Sequence, residues 1–125
     1  MTILVHDRAS AARALTLPLP PPMRAALVAE IALLTSGEHD LTDWTDILLV
    51  EPGDDEAAVA AEAGFSPLVD PLSGTRHGQP GFEPGWDWLS RHDGYGRLVF
   101  TMGSTHATII IVPDDADLAL LALFR

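Results

Sequence analysis

The chain has 125 residues, 47% of them hydrophobic, and a formal net charge of −11 set by 18 Asp and Glu against seven Arg, with neither Lys nor Cys present. That length suits one domain, 1–125, which buries about two-thirds of its unfolded surface in a single core, and the apolar fraction is high enough to offset chain entropy despite the charge. The lack of Cys excludes disulfides, thiolate metal sites and a cysteine nucleophile, while the acidic balance opposes the counterion release behind nucleic-acid binding and disfavours anionic membranes.

Thr2 to Val5 is a short β-type run, broken by His6 and Asp7 before it can resemble the core of a signal peptide. No apolar run approaches the roughly 20 residues that span a bilayer, and the expected location is the cytoplasm. Arg8 to Leu15 predicts an Ala-rich helix stopped by Pro18, within an N-terminal arm over 1–22 whose role the sequence leaves open. Pro20, Pro21 and Pro22 predict a stiff extended piece, with Pro22 suited to a helix's first turn. The helix that follows has the clearest pattern in the chain. Met23, Leu27, Ile31 and Leu34 recur at helical spacing, Arg24 and Glu30 lie off that stripe, and Ser36-Gly37 supplies a stop.

Asp46 to Glu51 is an apolar run bounded by charge and Pro52-Gly53, the pattern of a central strand buried on both faces. Gly53-Asp54-Asp55-Glu56 opens a helix closed by Gly64, with the carboxylates read as caps. Phe65 to Val69 suits a brief edge strand. Residues 70–96 read as a long ordered loop, rich in Gly, Pro and Trp, in which Asp87 to His92 forms a short helical turn. Arg97 to Val112 then reads as a hairpin around a two-residue Gly103-Ser104 turn. That register puts Leu98, Phe100 and Met102 on one face with Ala107, Ile109 and Ile111. Asp114 caps a final Leu-rich helix ending at Arg125. The expected fold class is therefore α+β: a small mixed sheet with a C-terminal β-hairpin, covered by two to four helices.

Chemistry concentrates in the 70–96 stretch. Arg76, His77, Trp88, Arg91, His92 and Asp93 are the candidate binding residues, because Arg stacks on indole and both are enriched where proteins bind partners. His-Asp occurs three times, at 6–7, 39–40 and 92–93, but on a chain with strands the dipeptide lacks the all-helical setting of metal phosphohydrolases that use it. No spacing specifies a metal site or cofactor, there is no G-x-S-x-G elbow, and Gly94-Tyr95-Gly96 lacks the third glycine of a dinucleotide loop. No catalytic residue is assigned on this basis.

From about Glu51 onward, the segments EPGDDEAAVAAEAGF, TRHGQPGFEPGWDWL and LVFTMGSTHATIIIVP, followed by the Leu-rich end, resemble small acidic bacterial proteins of no known function. The resemblance implies no activity and no residue role. The leading expectation is a non-enzymatic binding or accessory protein, of the immunity type, with an acidic surface for a basic protein partner. The alternative is a small hydrolase or ligand-binding enzyme using Arg76 to Asp93, with His77 or His92 as base, Asp93 orienting it and Arg76 or Arg91 holding an anion. A homodimer through the hairpin, using Val99, Ile110 and Val112, is the further partner expectation.

Overall fold

The computed structural model describes residues 2–35, 45–63, 73–76, 79–81, 86–102 and 106–115. Five strands form one mixed sheet in the order β1-β2-β5-β4-β3, where β1 is Ile3–Val5, β2 Thr45–Leu49, β3 Trp86–His92, β4 Tyr95–Met102 and β5 His106–Pro113. Among the described residues three helices accompany it: α1 (Arg8–Ala14), α2 (Pro21–Thr35) and α3 (Glu56–Ala63). The α+β class, the mixed sheet and the helix number agree with the sequence reading. Among the described residues no helix is long and apolar enough to cross a membrane.

β2 occupies the interior position its sequence requires, antiparallel to β1 and parallel to β5. Ile47, Leu48 and Leu49 are all fully buried, so both faces of the sheet are covered here. On one face Val5, Ile47, Leu49 and Ile111 pack with Ala11 and Ala14 of α1 and with Met23 and Leu27 of α2. Burying Met23 and Leu27 completely contributes about 1.5–3 kcal/mol each, which fixes how α2 lies on the sheet. Leu48, Leu98, Phe100 and Ile110 are buried on the other face.

The N-terminal arm contributes Val5, Ala11 and Ala14 to this core. Asp7 caps α1: its Oδ1 accepts from the Ser10 amide at 2.7 Å, and Ser10 Oγ accepts from the Asp7 amide at 3.0 Å, forming a reciprocal capping box. Thr2 Oγ1 donates to Asp54 Oδ2 at 2.8 Å in a buried bond, and the Glu51 amide donates to the same oxygen at 3.0 Å. Asp54 is thus a long-range tie, whereas Asp55 fulfils the capping expectation by accepting from the Ala58 amide at 2.9 Å. The proline run is less extended than expected: α2 starts at Pro21, and the Arg24 amide donates to the Pro20 carbonyl at 3.0 Å.

The 70–96 stretch is not one loop. Trp86–His92 is a strand rather than a helical turn, and it is joined to β4 by Asp93-Gly94, with His92 paired to Tyr95. Asp-Gly between alternating residues is a strong hairpin signal, and Gly94 takes the positive φ of 87° that such a turn favours. A bulge between Trp86 and Trp88 shifts the register, so Trp86 lies opposite Phe100 and Trp88 opposite Val99.

The β4–β5 hairpin also differs from expectation by one residue. Met102 pairs with His106, leaving three residues between them instead of the two-residue Gly-Ser turn. That slip turns β5 over, so Leu98 faces Ile110 and Val99 faces Ile109. Val99 therefore does not share a face with Ile110 and Val112, and the hairpin lies inside the sheet, whose edges are β1 and β3. The hairpin dimer loses both premises. The strand expected over 65–69, the stop at Gly64 and the C-terminal helix lie outside the described residues.

Gly94 is also where α2 meets the sheet: a Cβ there would stand 3.1 Å from Pro22 Cγ, whereas one on Gly53, at a similar φ of +86°, meets nothing within 4 Å. Gly53→Ala should cost about 1 kcal/mol through backbone strain alone, and Gly94→Ala distinctly more, compared by urea midpoints. The Asp7 carboxyl is held below its ordinary pKa, first by the Ser10 hydroxyl and then by the Ser10 amide. A lowered folded pKa means the cap contributes fully at neutral pH and is lost as acidification passes through that value. Asp7→Ala should accordingly lower the melting temperature at pH 7 and converge with wild type in strong acid.

Candidate functional site

The β3–β4 hairpin places one row of side chains beneath α2. Ser90 pairs across to Arg97, and His92 to Tyr95, so all four occupy the face on which Ile111 and the helix lie. Between them and Ala26, Ala29 and Glu30 of α2 is a cavity of about 390 Å³. This is within the range of small-molecule sites. Its floor at Ile111 is apolar, its helix wall is made of small residues, and its polar groups come from the hairpin and Glu30.

Two polar pairs set its chemistry. Arg97 Nε donates to Glu30 Oε1 at 2.5 Å, with the two side chains only 22% and 12% exposed. Glu30 Oε2 is buried without a hydrogen-bond partner among the described residues. Such an ion pair under a helix is strongly coupled, because removing Arg97 leaves the Glu30 carboxylate desolvated and uncompensated. Nearer solvent, Ser90 Oγ and His92 Nε2 are 3.0 Å apart. The His92 ring stacks on Tyr95, with centroids 4.8 Å apart and planes inclined by 13°.

The residues singled out from sequence are only partly gathered here. His92 lines the cavity, and Asp93 follows it in the exposed turn. Arg91 alternates to the opposite face, opposite Gly96, and its Nη2 lies 3.5 Å from Asp114 Oδ1 in an exposed pair. Arg76 is exposed in a separate turn, where its amide donates to Gln79 Oε1 at 2.8 Å. Trp88 is a backbone member of β3, and His77 lies outside the described residues. Arg91 and His92 thus fail to form one surface, because strand alternation separates residues that a helical turn would have grouped.

Glu30, Ser90, Tyr95 and Arg97 are the members sequence reasoning missed. The signal lay in Ser90-Arg91-His92-Asp93-Gly94-Tyr95-Gly96-Arg97: once Asp-Gly is taken as the turn, period-two alternation sets Ser90, His92, Tyr95 and Arg97 side by side. Glu30 carried no comparable mark, since an acid off an apolar stripe ordinarily faces water.

The imidazole and hydroxyl have the separation of a base and a nucleophile, but among the described residues no carboxylate is bonded to His92 to orient it. Nor do the described residues contain a group of three His, Asp or Glu arranged to hold a metal ion. Comparisons with protein-family models, curated proteins and solved structures found no match. The arrangement is best suited to holding a ligand through shape, hydrogen bonds and a balanced charge pair.

Arg97→Met should destabilise the fold by about 2–4 kcal/mol, because it strands the Glu30 carboxylate, and Glu30→Leu should destabilise it by removing the buried acceptor of Arg97 Nε. Combining them should recover most of that loss, giving strong coupling in a double-mutant cycle followed by urea denaturation.

Proposed function

We propose that this chain is a non-enzymatic binding or accessory protein of the immunity type, acting in the cytoplasm, whose acidic surface engages a basic protein partner. The observation that carries this reading is the net charge of −11 on 125 residues. A field of that sign raises the encounter rate with a cationic surface and rejects anionic ones. Asp93, Asp114 and Asp115 support it: all three are exposed, and the pairings of His92 with Tyr95 and Tyr95 with Pro113 bring their segments to the same end of the sheet. This end adjoins the cavity through His92 and Tyr95. A partner's basic groups would meet carboxylates there before reaching any apolar surface.

A second reading, a small hydrolase or ligand-binding enzyme, is favoured by the 3.0 Å separation of Ser90 Oγ and His92 Nε2. In it, His92 takes the proton from an attacking hydroxyl or water.

For the leading reading, a partner is captured from native lysate, purified and titrated against wild type and an Asp93→Asn/Asp114→Asn/Asp115→Asn variant. Affinity should fall by about tenfold or more as the screening length shortens to ~8 Å at physiological salt, and the variant should start weaker with a shallower salt dependence. Affinity indifferent to both salt and the three substitutions overturns the acidic-surface reading. Ser90→Ala and His92→Ala should leave partner affinity unchanged within about twofold; loss of a measurable hydrolytic turnover in both would instead establish the second reading.

A further inference from the structure

We infer that the cavity beneath α2 is a binding site for the ammonium or guanidinium head of a small organic cation, with Glu30 as its principal acceptor. The starting point is the imbalance of the Glu30 carboxylate. Oε1 receives Arg97 Nε, while Oε2 is buried with no hydrogen-bond partner, although an ionised carboxylate has room for about four donors. Leaving a buried acceptor unmade costs about 1–3 kcal/mol, more for a charged group, so a donor entering the cavity gains what the protein itself does not supply. Oε2 is shielded from solvent. The terminal carboxylate torsion of Glu is broad, so in the proposed complex the carboxylate turns to share its two oxygens between Arg97 and the entering N–H.

Charge selects a cation over a neutral donor. Glu30 and Arg97 cancel each other, so the surrounding field decides, and at this end of the sheet it includes Asp93, Asp114 and Asp115 on a chain of net charge −11. Asp114 is partly offset by Arg91. An anion attracted to Arg97 would have to approach Glu30, which already occupies the guanidinium's Nε, and pass the same acids. The stacked rings of His92 and Tyr95 add a flat wall against which an organic cation gains about 0.5–2 kcal/mol. Ser90 Oγ offers a further acceptor, and the small side chains of Ala26 and Ala29 leave the space open. This site goes beyond the acidic-surface reading: it would remain if no basic protein bound, and its loss would leave that surface intact.

The test is a titration of the full chain with agmatine, which carries a guanidinium and an ammonium on a short alkyl chain, followed by amide chemical shifts. Saturable shifts at Glu30, Ser90, His92, Tyr95 and Arg97 are expected, at a concentration around millimolar or below. Glu30→Gln and Ala29→Leu should each weaken binding by about tenfold; the second fills the cavity and leaves the ion pair in place, so it serves even if the first perturbs folding. 1-Pentanol, of similar apolar length, should give no saturable shift at these amides, nor should acetate. A short peptide with a single Arg distinguishes the source: competition with agmatine assigns the site to a partner's side chain, and agmatine binding without peptide binding assigns it to a free amine. Absence of saturation with agmatine, equal affinity for wild type and Ala29→Leu, or tighter binding of acetate than of agmatine overturns the proposal.

Discussion

β5 runs parallel to β2 on one side and antiparallel to β4 on the other, and Ile109, Ile110 and Ile111 face Ile47, Leu48 and Leu49 along the parallel seam. All six are buried, so the seam is held by side chains on both faces as well as by its ladder. Its register leaves little freedom, because a shift of one residue would exchange the set packed on α1 and α2 for the set packed on the opposite face. Through β4 the same seam positions β3, and with it Ser90 and His92. The cavity lies at the end of this chain of dependences: Ile111 is at once its floor and a member of the α2 core cluster.

The Glu30–Arg97 pair connects two surfaces that apolar packing alone would allow to slide. Met23 and Leu27 anchor one side of α2 but have no directional preference along the sheet. An ion pair with defined donor and acceptor atoms adds a preferred position farther along the helix. Pro22 against Gly94 fixes the other end. Between these two points Ala26 and Ala29 line the cavity from α2, and their small side chains leave its space.

The elements with simple patterns were legible in the sequence. Asp46 to Glu51 announced a strand covered on both faces, and Met23, Leu27, Ile31 and Leu34 announced the buried side of α2. Two features misled. Gly and Pro between 70 and 96 suggested a single loop, though the Asp93-Gly94 pair within it marks a tight turn with strands on either side. Gly103-Ser104 suited a two-residue turn, whereas the hairpin closes over three, and that one residue reverses every inward and outward assignment on β5. The site itself was half visible: His92 stood out as a titratable group, but its companions Glu30 and Arg97 come from distant parts of the chain and are joined by packing rather than by any local motif.

The order of the strands in space differs from the order in which a ribosome delivers them. β1 and β2 emerge early and pair with each other, but β2 keeps an unpaired inner edge until β5, the last of the five strands, is made. β3 and β4 form a local hairpin in the interval, and among the described residues no strand other than β5 joins it to β1 and β2. The two strand pairs are therefore delivered before the strand that joins them, and inserting it costs chain entropy, the kind of non-local step that makes folding slow. Until that insertion, apolar strand edges are open to pairing with other chains, and strong like-charge repulsion is a means of keeping nascent copies apart. A net charge of −11 opposes such association between copies whatever ligand or partner the folded chain has.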